Sequence, residues 1–270
     1  MSYLEDFLKS VTVFDTETTN MLPEKCEIVE IATGYLADNH WTINQLLLGA
    51  YNGIPPEASA KHHISNRMID GKLPFDKAIS AIKHLLDWEH SSYFIAHNAK
   101  YDRAALKTSF LKYNFDDDAK ICDDDSRWIC TWRLSKHILQ HSFTDIQYGL
   151  EYLRYKLDLT VDDSVGSHRA GDDTLVCIAL LNTLIELACA NNQLDINKPI
   201  GPQLNALCWS YIPITTWPFG KHKGTLLTDL DNSYYAWALK NMNSLNEDSN
   251  DFDIDLTESI KQVLTARFTQ

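Results

Sequence analysis

Over its first half the chain alternates polar and apolar positions in short runs, and later it carries longer apolar stretches. Val11-Thr-Val-Phe-Asp15 reads as a strand of β-branched and aromatic residues, and its period of two sends Asp15 and Glu17 to one face. Ile28 to Ala37 and Trp41 to Leu48 read as two more strands around the turn Asp38-Asn39-His40, and connections this short imply antiparallel pairing. After Pro55-Pro56, Ala78, Ile79, Ile82, Leu85 and Leu86 recur at helical spacing, which predicts a helix over 75–88. Ser92 to Ala96 and Trp128 to Cys130 read as short buried strands. Each runs directly into a helix, the first with Asn98 as its N-cap and the second over 131–139 with Thr131 as its cap.

Further helices are predicted over 144–155, 174–190 and 234–242, and at the end of the chain with Ile260, Val263, Leu264 and Phe268 on one face. Residues 116–125 read as an acidic loop, 191–216 as a linker rich in Asn, Pro and Gly, and 247–255 as an acidic break. The predicted organisation is therefore an α/β domain over 1–190, a linker over 191–216 and a small α+β domain over 217–270.

The helix over 174–190 is apolar on most faces, so it is buried and carries Asp173 inward. A carboxylate in that position must be paired, bound to metal or protonated. Asp102 falls about one turn into its helix, near the positive end of the dipole. Asp15 and Glu17 repel each other unless a cation lies between them, and a hard divalent ion such as Mg²⁺ suits carboxylate oxygens. Any one of these acids alone needs no metal. Their number is what points to a site, because strand ends and helix starts converge on one edge of an α/β sheet. Four carboxylates with His168 can hold two divalent ions about 3.5–4 Å apart, the arrangement used in phosphoryl transfer.

Composition narrows the picture. A formal net charge of −13 argues against a protein that coats nucleic acid nonspecifically, though not against one that grips a few nucleotides through metal ions. The six cysteines are scattered without a C-x-x-C pair and read as thiols of a reducing compartment. No apolar run approaches the roughly 18–20 residues that span a bilayer, and the N-terminus lacks a basic-then-apolar leader. A cytoplasmic protein without a membrane partner is the expectation.

The segments F-D-T-E-T, I-V-E-I-A, A-H-N-A-K-Y-D and H-R-A-G-D-D resemble the three motifs of the DEDDh 3′-to-5′ exonucleases, the group that includes polymerase proofreading subunits. Trp128-Ile-Cys-Thr131, the segment Ile54 to Met68 and the C-terminal F-G-K-H-K-G unit with its Tyr-Tyr-Ala-Trp helix extend the likeness to the exonuclease X type. The resemblance implies a ribonuclease H-like fold: a mixed five-stranded sheet with flanking helices, followed by a small C-terminal domain. It implies a two-metal exodeoxyribonuclease of DNA repair or DNA metabolism that releases nucleoside 5′-monophosphates from single-stranded DNA or DNA 3′ ends. An exoribonuclease acting on RNA and a non-catalytic binding module are the alternatives. Two Mg²⁺ ions are implied, with Mn²⁺ expected to substitute.

On the matching positions, Asp15 bridges both metals, Glu17 and Asp173 complete one site, Asp102 holds the second, and His168 deprotonates the attacking water. The pattern H-x-A-x-x-D selects Asp173 through Ala170, while a shorter count selects Asp172. His168 lies too far out of phase for the helix face of Asp173 and is expected on the preceding loop. Thr16, Thr18, Met21, Leu22, His62 and Asn98 match substrate-contacting positions, although Met21 and Leu22 read equally as packing under a loop. In the C-terminal unit, Lys221, His222 and Lys223 could meet phosphate, and Trp217, Phe219, Tyr234 or Trp237 could stack on bases. The same aromatics could simply build a small core.

Overall fold

The computed structural model describes residues 2–140, 143, 146–246 and 253–269. Five strands form one sheet: β1 (Val11–Thr18), β2 (Ile28–Ala37), β3 (His40–Leu47), β4 (Tyr93–Ala96) and β5 (Trp128–Cys130). Their order is β3-β2-β1-β4-β5. The first three strands pair antiparallel, as their short connections require, and β4 and β5 join parallel to β1. Helices of the same unit are α1 (Tyr3–Lys9), α2 (Pro56–His62), α3 (Ile79–Leu86), α4 (Ala99–Lys112), α5 (Asp116–Ile121), α6 (Thr131–Leu139), α7 (Leu150–Lys156), α8 (Ala170–Ala190) and α9 (Ile200–Trp209).

Helix α8 packs across β1, β2 and β3, while α4 packs against β2, β4 and β5. Covering on both sides explains why Val11, Thr12, Val13 and Phe14 are all buried. Aromatic rings fill the core, with Phe14 edge-on to Trp128 at 5.3 Å and Trp88 edge-on to Phe94 at 4.5 Å. Gly34 lets α8 lie close on β2, since a Cβ there would stand 2.7 Å from Ile178 Cδ1.

Several elements differ from the sequence reading. Helix α8 begins at Ala170, so Asp172 and Asp173 occupy its first turn instead of preceding it. Counted from there, its 21 residues are long and apolar enough to cross a bilayer by length and composition, which corrects the statement that no such run exists. In this fold those apolar residues pack on the sheet. Residues 116–121 form α5, because three aspartates in a first turn suit the helix dipole. Of the helix over 144–155, the structure shows α7 from Leu150; Thr144 lies outside the described residues. Helices α1 and α2 were not anticipated.

The stretch 191–216 contains α9, whose Ile200, Leu204 and Cys208 are buried in the core of the first unit. Gly201 sits so near the Tyr93 ring that a Cβ would come within 2.3 Å of it. The chain divides into compact units at 1–209 and 210–270, so the boundary falls after α9. In the second unit α10 (Asn232–Asn241) and α11 (Ile254–Phe268) enclose Trp217, Leu227, Leu230, Tyr235, Leu256 and Ile260. Among the described residues its strand content is one bridge, Thr216 to Leu226, which closes the turn over 217–225. Most of the predicted acidic break before α11 lies outside the described residues.

Because Leu204 is fully buried in the first unit, Leu204→Ala is expected to destabilise that unit by about 2–5 kcal/mol. A denaturant midpoint equal to that of the parent chain would return this stretch to the status of a linker.

Candidate active site

Carboxylate oxygens of Asp15, Glu17 and Asp173 lie within 4.8 Å of one another. The period of β1 supplies the first two and the first turn of α8 supplies the third. Asp102 approaches from α4, where it is 3% exposed and accepts from the Thr16 amide at 3.1 Å and the Thr16 hydroxyl at 2.6 Å through Oδ1. Asp172 turns away from the cluster, its Oδ2 accepting from the Gly166 amide at 3.1 Å. The geometry thus separates the two adjacent aspartates, of which the resemblance selects Asp173.

The loop carrying His168 is tied down from several sides. Its own amide donates to Asp173 Oδ1 at 3.3 Å, and its backbone is left-handed at φ 59°. Upstream, the nearly buried Arg154 of α7 donates to the carbonyls of Val165 at 2.8 Å, Gly166 at 3.3 Å and Asp162 at 3.3 Å. Downstream, Glu30 of β2 accepts from Arg169 Nη2 at 2.6 Å and Nε at 3.1 Å, and from the Ala170 amide at 3.0 Å. Glu30 is 1% exposed and stands directly beside Glu17 in the strand register. Its carboxylate therefore caps the start of α8 while its partner Arg169 neutralises it.

Burial and mutual repulsion push the acids upward. Asp15 lies well above the usual carboxylate range through burial first, then the charges of Asp102 and Asp173. Burial followed by Asp173 and Glu30 raises Glu17 to about 8. Asp102 is raised to about 7, again by burial, against the pull of the Thr16 hydrogen bonds. Burial raises Asp173 to about 6, opposed by the His168 amide. Four acids raised above their usual range and gathered at one place are a donor set for divalent cations. His168 moves the other way, below its usual range, by burial and then by the nearby Lys61.

The remaining predicted residues divide by exposure. Thr16 and His62 are buried, and His62 Nδ1 accepts from the Ile64 amide at 3.1 Å, so both shape the site from beneath. The Thr18 hydroxyl meets Tyr101 and donates to the Asn20 carbonyl at 3.0 Å, holding the loop after β1. Met21 is 79% exposed and Leu22 47%, which removes the reading of both as packing under a loop. Asn98 is exposed and left-handed at φ 63° and makes no side-chain cap, so the predicted N-cap bond is absent. Thr131 is the first residue of α6 and not its cap; its hydroxyl meets His97 Nδ1 at 3.0 Å.

Sequence reasoning missed two residues near the cluster. Glu30 was legible only as part of a buried strand, although an acid inside the apolar run I-V-E-I-A requires a partner. Lys61 of α2 is exposed, yet its charge lowers Glu17 and Asp173. Its positive charge thus acts on two of the four acids.

Residues 12–181 match the exonuclease family of RNase T type. The DNA polymerase III subunit epsilon of Treponema pallidum (strain Nichols) is 26% identical over 201 residues, which cover 73% of this chain and 86% of that protein. Among solved structures, exonuclease X in complex with 5′ overhanging duplex DNA superposes with a TM-score of 0.50 at 22% identity, over 73% of this chain and 99% of that one. Exonuclease I of E. coli in complex with a dT13 oligonucleotide gives a TM-score of 0.56 at 15% identity, over 67% of this chain and 42% of that one. These two likenesses concern the fold, which is ribonuclease H-like. With its family match spanning more than half the chain, the protein belongs to the exonuclease family, as a 3′-to-5′ exonuclease of the DEDDh type.

Proposed function

We propose that the chain removes nucleoside 5′-monophosphates from DNA 3′ ends, with Asp15, Glu17, Asp102 and Asp173 holding two Mg²⁺ ions that Mn²⁺ can replace. The observation that carries this reading is the convergence of Asp15, Glu17 and Asp173 within 4.8 Å, with Asp102 buried beside them. When bound, such ions supply an acidified water and positive charge for the developing phosphoryl oxygens. The rest of the chemistry belongs to the chain. His168 stays neutral at pH 7 because burial holds its pKa down, so its ring can accept the proton of the attacking water. Glu30 and Arg154 fix the two ends of its loop, and Lys61 offers a positive charge to the phosphodiester. Exposed Met21 and Leu22 present apolar surface to the terminal base, with Thr18 and Asn98 at the rim. The DNA named with two structural relatives, and the polymerase subunit among the sequence relatives, support DNA over RNA as substrate. Six thiols without a disulfide support a reducing, cytoplasmic location.

The raised acids give this reading a stability signature. Unfolded carboxylates titrate near ~4, whereas folded Asp173, Asp102 and Glu17 titrate at about 6, about 7 and about 8. Between those values the folded state binds more protons than the unfolded one, so stability falls as pH rises through that window. In a chelator, the melting temperature is expected to drop from pH 5 to pH 8, and Mg²⁺ should restore it most at pH 8. A melt at pH 8 that ignores Mg²⁺ and Mn²⁺ would remove the metal site.

Asp15→Asn is expected to abolish cleavage and leave the fold as stable or more stable, since one repelling charge is gone. His168→Ala should lower kcat by about 10²–10⁴ while the Mg²⁺ shift in melting temperature persists. Full activity in either variant refutes its role. Digestion of matched 5′-labelled DNA and RNA strands should give a Mg²⁺-dependent ladder shortening from the 3′ end, faster on DNA. A faster RNA ladder would reassign the substrate, and no ladder on either polymer would leave a binding module.

A further inference from the structure

We infer that the second unit binds single-stranded nucleic acid across a row formed by His222, Tyr234 and Trp237. Trp237 is 50% exposed and stacks on Tyr234 with ring centroids 5.6 Å apart and planes 24° from parallel. The His222 ring meets the same tyrosine at 4.3 Å. Tyr234 in turn rests edge-on against the fully buried Trp217 at 5.0 Å, so the row is rooted in the core while its outer ring lies open. That core is complete without Trp237: Trp217, Leu227, Leu230, Tyr235, Ala238, Leu256 and Ile260 are each less than 5% exposed. Trp217 itself is too deep to reach a base, which corrects its inclusion among the stacking candidates.

Charge identifies the ligand. Lys221 and Lys223 flank His222 in a turn bracketed by Gly220 at φ 63° and Gly224 at φ 83°, and nothing lies within 4 Å of where a Cβ would be at either glycine. The turn therefore stands clear of its surroundings. Lys240 follows Trp237 by one helical turn on α10. Among the described residues none of these three exposed lysines takes part in an ion pair. In a chain of net charge −13, unpaired ammonium groups on the unit that exposes Trp237 match a polymer of phosphates and unstacked bases. A duplex hides its base faces in the stack, so a single strand is the form that can use the Trp237 ring.

This surface extends the proposed function without depending on it, because binding is measured apart from cleavage. The full-length chain in chelator is titrated into a 5′-fluorescent poly-dT strand of about 20 nucleotides, longer than one such surface covers, and anisotropy is read at several salt concentrations. Trp237→Ala is expected to weaken binding about tenfold, the loss of one stacked base. Lys221→Ala with Lys223→Ala should flatten the slope of log affinity against log salt by roughly 1.4, two phosphate contacts on a single strand. The exposed lysine pair lies outside the core, so it tests the surface even if Trp237→Ala fails to fold. Folded variants that bind the strand as tightly as the parent, with the same salt slope, overturn the inference and leave the row to a protein partner. Hydrolysis of thymidine 5′-(p-nitrophenyl phosphate) with Mg²⁺ by the unmodified chain reports the first unit separately. Its absence would count against the proposed cleavage and leave the binding result standing.

Discussion

Like charges held close in a poorly hydrated place are the constraint on which the first unit depends. Two carboxylates about 4 Å apart repel by roughly 4 kcal/mol at an effective dielectric near 20. Asp15, Glu17 and Asp173 are held within that range, with Asp102 adjacent. The chain uses no loop for these acids: two stand on a central strand and the others in the first turns of two helices. Rigid elements packed on both faces of one sheet carry the load that the side chains impose.

The neighbouring polar contacts follow from the same constraint. Thr16 donates twice to Asp102 and so keeps one acid oriented. Glu30 would be one more repelling charge beside Glu17, yet Arg169 and the Ala170 amide take it up, which leaves it as a brace for the helix start. His97, held neutral with a pKa of about 4 by burial, links Thr131 to the carbonyl of Tyr148 just ahead of α7, the helix that supplies Arg154. Residues far apart in the chain thus serve one loop.

Much of this was legible in the chain because the signals are local. A period of two announces a shared face for Asp15 and Glu17, and a helix apolar on most faces announces that Asp173 is drawn in toward the sheet, where it ends half-buried. What escaped was either non-local or masked by local chemistry. Glu30 needs an arginine that comes much later in sequence, and no window joins them. Helix α9 opens with Ile200-Gly-Pro, breaker residues that hid the apolar spacing of Ile200, Leu204 and Cys208. Asn98 has the right residue type for a cap, but its left-handed backbone turns the side chain away from that duty.

The register between β1 and β2 shifts between Glu17 and Thr18, so that Thr18 pairs with Ile28 after Glu17 has paired with Glu30. An irregularity at that point absorbs a change in length before it can reach the acids. The loop beyond it, which carries Met21 and Leu22, can lengthen, shorten or change character while the carboxylates keep their positions. A change in that loop therefore leaves the spacing of the acids on β1 as it is.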